Sequence, residues 1–251
     1  MIDFSNFRKQ VFSIDINSRE SLFLQHSTLI SIFSPIASLY QTCKLFNKPF
    51  YSNLKYIPQI FLPQIALRYI QTSLSTDCKD TFNPLVAFGL IGILQGGVYG
   101  HSNLYFSDKM NISHNMDIRN YFKGPFFAAM RDIISQGLPF YITPLLIPYI
   151  NAKINNKYNN NNNNNNNINE FIVLGGLSIG STYLSHPFHC LQIFIQNEPY
   201  NTQIEIAKKI ITQYKWSLFY RGITGRLILL LVTNYSNHMF LRYLWDNKST
   251  N

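Results

Sequence analysis

A chain of 251 residues is long enough for one large domain or several smaller units. Apolar residues make up 46% but charged residues only 13%, about half the usual share of a soluble domain. The net charge of +9 comes without a basic–aromatic stripe or a nucleic-acid-binding module, so RNA and DNA binding is excluded as the reading of that charge. Three cysteines without paired spacing imply neither a disulfide framework nor a zinc site.

Residues 1–20 read as an N-terminal tail. They lack an apolar signal core behind a basic tip and are too acidic for a typical transit peptide, so any membrane entry is expected to use internal signals. Six long stretches nearly free of charge follow, over 21–43, 56–77, 82–107, 126–151, 171–196 and 223–245. Each approaches the roughly 20 apolar residues that a membrane helix needs. Arg68 interrupts the second, and Arg131 and Asp132 interrupt the fourth. Ser, Thr, Gln and Asn inside the spans predict a bundle with a wet or polar interior.

The third and fifth spans carry small residues four apart, at Gly92, Gly96 and Gly100 and at Gly176 and Gly180, a spacing that lets helix backbones approach closely. Between spans four and five, residues 153–170 hold an asparagine tract and are expected to form a disordered loop. Between spans five and six, Ile204, Ala207, Ile210, Ile211, Tyr214 and Leu218 recur at helical spacing. They predict an amphipathic helix on a membrane surface or under the bundle, or an ordinary loop helix. If the spans alternate across a membrane, the basic excess falls in the loops after spans one, three and five, which the positive-inside rule places on the inner side.

Two short motifs repeat. Tyr121-Phe122-Lys123-Gly124 precedes span four, and Phe219-Tyr220-Arg221-Gly222 precedes span six. The seventh residue after each glycine is Arg131 or Leu229, and Arg68 stands seven after Phe61 in a weaker upstream copy. Pro35 and Pro187 lie late in spans one and five, while in span three Gly100 or Asn103 is the candidate equivalent. The plan is three copies of a two-helix unit, over 21–80, 81–152 and 171–246.

On "SHPFHCLQIFIQ", "IAKKIITQYKWSLFYRGITGRLI" and "YFKGPFFAAMRD", the chain resembles the mitochondrial carrier family from about residue 20 to 245. The resemblance implies an all-α membrane fold of six transmembrane helices in three pseudo-symmetric repeats. It implies odd helices kinked at Pro35 and Pro187, short surface helices on the matrix side, and residence in the inner mitochondrial membrane. The family's Pro-x-acid-x-x-base signature is lost here. His189 replaces the acid and Gln192 the base in repeat three, repeat one has neither charge, and repeat two has no acid–base pair. In the aromatic–acid gate of the opposite side, Phe240-Leu241-Arg242 puts a base where an acid is expected, and Trp245-Asp246 substitutes only with a shifted register.

By the same resemblance, substrate contacts fall on the even helices at Arg68, at Arg131 with Asp132, and at Leu229. An arginine in mid-membrane costs at least about 2.5–3.5 kcal/mol and therefore faces water or a partner. Two readings follow. One is a carrier moving a small charged metabolite, such as an amino acid, by alternating access. The other is a degenerate carrier serving as a structural subunit of a larger mitochondrial complex, such as a respiratory complex. Lipid is a partner in both, and nucleic acid in neither. No enzyme activity, cofactor or metal is expected. His186 and His189 are separated by a proline and lack a third ligand, and neither a phosphate-binding glycine loop nor a nucleophile elbow is present.

Overall fold

The computed structural model describes residues 19–81, 84–114, 116–158, 163–198 and 202–248. Every regular element among them is helical. α1 spans Arg19–Leu45, α2 Ile57–Thr81 and α3 Pro84–Lys109. A four-residue α4 at Ile118–Tyr121 leads to α5 at Pro125–Asp132, a π-helical turn at Ile133–Gly137 and α6 at Leu138–Tyr158. α7 covers Asn163–Asn197, α8 Gln203–Tyr214 and α9 Ile223–Lys248.

The long helices close into a ring. α1 packs on α2, α2 on α3, α3 on α5, α6 on α7, α7 on α9, and α9 returns to α1. α5, the π turn and α6 follow without a break and act as one ring member. The six charge-poor stretches thus coincide with the six ring members.

α1, α2 and α7 each carry a buried polar stripe and an exposed apolar face. On α1, Ser31, Ser34, Ser38 and Gln41 are buried while Leu29, Ile32 and Ile36 are exposed. On α2, Gln64 and Arg68 are buried while Leu62, at 75% exposure, and Ile70 face outward. α7 buries Ser178, Ser181, Thr182, Ser185 and His186 and exposes Ile172, Ile179 and Leu184. Both stripes follow the 3.6-residue period, but with the opposite sense to that of a water-soluble bundle. Among the described residues, no helix is long and apolar enough to cross a membrane. The buried polar residues of α1, α2 and α7 lower the hydropathy of those helices.

Two apolar clusters sit at one end of the ring, and a third, Ile30, Ala37, Tyr99 and Leu229, lies at its centre. Leu45, Ile193 and Ile195 pack with Ile206, Ile210 and Leu218, and Leu39 and Cys43 pack with Ile60, Phe106 and Met110. α8 lies over this end, held at its start by a capping box in which Thr202 and Glu205 satisfy each other's backbone N–H. Its buried face is Ile206, Ala207 and Ile210. The expected face is corrected here: Ile204 and Ile211 are exposed, because Ile206 takes the inward position one side of the wheel over. The corresponding surface segments of the first two repeats are only a 3-10 turn at Tyr51–Tyr56 and the short α4.

α1 and α3 end alike, and this fixes their register to each other. The amides of Phe46, Met110 and Glu198 each close on the carbonyl four residues back, at Thr42, Phe106 and Phe194. Asn47 and Asn111 then take left-handed φ values of 53° and 52°, and the next amides, Lys48 and Ile112, reach back to Cys43 and Ser107. These are matching helix-terminating turns with asparagine at the left-handed site. Counting back from Thr42, Phe106 and Phe194 aligns Pro35, Tyr99 and Pro187. On the match of the two helix ends, Tyr99 of α3 stands where Pro35 stands in α1, rather than Gly100 or Asn103. The acid positions hold Ala37, His101 and His189, and the base positions Tyr40, Leu104 and Gln192.

The two glycine stripes behave differently. A Cβ on Gly92 would come within 2.9 Å of the Ala128 carbonyl oxygen, and one on Gly96 within 2.7 Å of the Ala128 Cβ, so α3 and α5 meet backbone to backbone. Gly176 and Gly180 meet nothing within 4 Å, and the close-packing expectation fails there. They lie on the exposed face of α7, and it is at Gly175 that a Cβ would be crowded, at 2.6 Å from the Tyr235 hydroxyl. In the asparagine-rich segment, helix runs in from both sides, to Tyr158 and from Asn163, while 159–162 lie outside the described residues. The physical reason is that extending an existing helix costs far less than starting one.

Candidate functional site

The ring's centre is organised around Tyr99, buried on α3. The Arg68 guanidinium lies over its ring at 4.6 Å from the centroid, and that of Arg131 at 5.0 Å. His189 meets the same ring edge-on, at 5.5 Å and 68°. Cation–π contact of this kind is worth most when water is excluded, and Arg68 and Arg131 are 2% and 1% exposed.

The expected site residues therefore converge. Arg131 Nε donates to Asp132 Oδ1 at 2.6 Å, so the pair lies along one helix and does not itself join two. The inter-helix link is made by Arg131 Nη1, which donates to Gln192 Oε1 of α7 at 2.8 Å. Gln192 then donates to the Gly96 carbonyl of α3 at 3.2 Å. The two positions predicted as a lost gate, His189 and Gln192, thus serve as neutral neighbours of Arg131. Arg68 of α2 donates to Ser34 of α1 and to Gln71, both at 2.8 Å. Pro35 and Pro187 lie inside α1 and α7. The side chains of Phe240, Arg242, Trp245 and Asp246 lie outside those described.

Arg226 was not among the expected residues. It is 4% exposed on α9, one turn before Leu229, and both line the same recess. Its guanidinium donates to the Ser185 carbonyl at 3.2 Å and to Ser185 Oγ at 2.8 Å. The signal was in the sequence: Arg226 interrupts the apolar start of the sixth helix much as Arg131 interrupts the fourth, but it stands at the fourth position after the glycine, not the seventh.

The recess is lined by Ser38, Gln41, Gln95, Tyr99, Arg131, Asp132, His189, Arg226 and Leu229, among others, and holds about 300 Å³ counting its mouth. Its enclosed part admits about one water molecule. Arg131 Nη2 and Asp132 Oδ2 are buried without a hydrogen-bond partner. A buried donor and a buried acceptor left unmade each cost about 1–3 kcal/mol. The π turn begins directly after Asp132, and such turns often occur at functional sites.

Beside the recess, three odd helices are joined without charge. Ser38 of α1 donates to Asn103 Oδ1 of α3 at 2.6 Å, and Asn103 Nδ2 donates to Gln196 Oε1 of α7 at 3.4 Å. Gln196 also donates to the Tyr121 carbonyl at 2.7 Å. Among the described residues no His, Cys, Asp and Glu cluster could hold a metal.

No protein-family model matches this chain, and no curated protein does.

Proposed function

We propose that this chain is a divergent carrier-like membrane protein that moves a small charged solute by alternating access, in the inner mitochondrial membrane. The observation that carries the reading is the set of buried Ser, Gln, Asn and Arg side chains on the ring helices, among them Ser34, Gln41, Gln64, Arg68, Asn103, Arg131 and Ser185, while Leu62, Ile70, Leu145, Ile172 and Leu184 face outward. In water such a surface would be a liability, and in lipid it is the stable arrangement. Single-helix hydropathy undervalues such a helix, because its polar face never meets lipid. The meeting of Arg68 and Arg131 from two ring members on the Tyr99 ring, with Arg131 and Asp132 lining the recess beside it, supports a solute site at mid-depth.

The test is uptake by vesicles reconstituted with the full chain, screened with charged metabolites and starting with amino acids. Arg131→Ala is expected to abolish uptake. Normal uptake by that variant removes the site, and no uptake of any solute by the unaltered protein removes transport.

A second reading is favoured by one observation. The odd helices are joined by uncharged hydrogen bonds at Ser38, Asn103 and Gln196, and the positions at which the resemblance calls for ion pairs hold no acid–base pair. A carrier that has lost its gate would serve as a structural subunit of a larger complex. Native mass in mild detergent separates the two: 29.2 kDa plus detergent for a free carrier, a much larger stoichiometric assembly for a subunit.

A further inference from the structure

We infer that Gln95 is the latch of the central recess, and that the ring parts at Gln95 to admit a solute. The inference deepens the reading of the recess as a solute site, naming its entry, and rests on it. Gln95, Tyr99 and Asn103 stand four apart on α3 and so share one face, about 6 Å from one to the next. Asn103 lies toward the end of the ring that carries α8 and two apolar clusters, and Gln95 lies on the other side of Tyr99. Gln95 is 3% exposed and lines the recess. Its Oε1 accepts from Gln136 Nε2 at 2.8 Å and, more loosely, from Gln71 Nε2 at 3.5 Å. Gln71 in turn accepts from Arg68 at 2.8 Å. One amide oxygen thus joins α2, α3 and the π turn beside the recess, as a carbonyl with two lone pairs can.

The third repeat closes on the same side. Asn234 Nδ2 of α9 donates to Ser178 Oγ of α7 at 2.8 Å, and Ser181 Oγ of α7 donates to the Ser135 carbonyl of the π turn at 3.3 Å. Asn234 is eight residues beyond Arg226, and Ser178 seven before its partner Ser185, so this bond too lies away from α8. The two closures are unequal. Toward α8, the Ser38–Asn103–Gln196 bonds are backed by apolar packing, which opening would expose to water. On the Gln95 side the ties are neutral hydrogen bonds, which water replaces at little net cost, and the half-buried Gln71 and Gln136 are already within its reach. The Gln95 side is therefore the one that yields. Its donor Gln136 sits in the π turn, which directly follows the recess residues Arg131 and Asp132. Gln95 also lies eleven residues inside the start of α3, well within the ring and apart from the helix ends at which the aromatic–acid gate is expected.

The experiment measures how fast a thiol on the recess wall is modified in the purified full chain in mild detergent. Leu229, 2% exposed and lining the recess, carries the probe as Leu229→Cys. The reagent is methyl methanethiosulfonate, small and uncharged, and mass spectrometry of that one peptide keeps the native cysteines out of the reading. A thiol at this place reacts only when the ring opens, so its rate reports the opening. Gln95→Met, of the same length but without the acceptor, is expected to speed modification about three- to tenfold, the opening that loss of one such bond allows. Gln95→Glu, which keeps an acceptor there, is expected to restore the slow rate. Asn103→Ala, on the side held by apolar packing, is expected to leave it nearly unchanged. An unchanged rate in Gln95→Met, or equal acceleration by Gln95→Glu or by Asn103→Ala, would overturn the assignment. If Gln95→Met does not fold, Gln136→Leu, which removes the donor of the same bond, decides in its place. Acceleration without vesicle uptake of any solute leaves the latch standing and removes transport. Uptake that Arg131→Ala abolishes, with no acceleration in Gln95→Met, keeps the site and removes the latch.

Discussion

Arg131 and Gln192 are held 2.8 Å apart across α5 and α7, with the glutamine accepting from the guanidinium while giving its own amide to the Gly96 carbonyl of α3. One neutral side chain thus ties three ring members. Gln192→Leu removes an acceptor from a charged donor, a bond worth about 1.5–3 kcal/mol. The Gly96 carbonyl keeps a bond from Gln196 at 3.3 Å, so the loss falls mainly on Arg131. Thermal unfolding in detergent should show a midpoint lower by roughly 3–10 °C for a chain of this size. An unchanged midpoint would mean that the link contributes nothing.

Asn103 makes the analogous link between α1 and α7, through Ser38 and Gln196. Asn103→Ala leaves the Ser38 hydroxyl and the Gln196 side chain facing each other across a gap. The expected cost is about 1–3 kcal/mol. A double-mutant cycle with Ser38→Ala should return a coupling energy of about 0.5–1.5 kcal/mol, because the 2.6 Å bond is lost in either single variant. Strict additivity of the two losses would refute the bond as an energetic link.

How much of this was legible beforehand varies by residue. The ring members were readable, because long gaps between charges leave few alternatives to long helices, and Arg68, Arg131 and Asp132 stood out as charges in apolar company. The register of the middle repeat was not. Tyr99 stands where α1 has a proline, and only the matching helix ends at Thr42 and Phe106 reveal the equivalence. Arg226 was hidden by a position rule that pointed one turn further on, to Leu229. The face of α8 was misjudged because Ile204, Ile206, Ile210 and Ile211 offer two overlapping apolar stripes, and only packing against Leu45 and Ile193 selects one.

The glycines of α3 and α7 make opposite predictions. Gly92→Ala drives a methyl to 2.9 Å from the Ala128 carbonyl oxygen and the Ala129 Cα, which are backbone atoms that can yield only if α5 shifts. Overpacking of this kind costs about 1–3 kcal/mol. Gly176→Ala and Gly180→Ala meet open space in mid-helix, where alanine gains about 0.5–1 kcal/mol over glycine. Unfolding midpoints should therefore fall for the first variant and hold or rise for the other two. A fall in all three would show that a surface of α7 is covered in the detergent-solubilised protein.

Gly124 and Gly222 end the two repeated motifs and share one backbone state, with φ of +74° and +77°. Each stands directly before an even helix, and Gly124 caps α5 with Pro125 in its first turn. A left-handed φ costs a residue with a Cβ about 1–2 kcal/mol. The surroundings differ, however. A methyl on Gly124 finds its nearest neighbour at 3.6 Å, in ordinary contact, whereas one on Gly222 meets the Lys44 Cβ at 3.2 Å and must displace it. Both alanine variants should lower the unfolding midpoint, Gly222→Ala by more. Substitution by asparagine, which tolerates this region best after glycine, should recover part of the loss at Gly124 and less of it at Gly222. Equal recovery at both sites would show that backbone strain, and not the contact with Lys44, sets the cost.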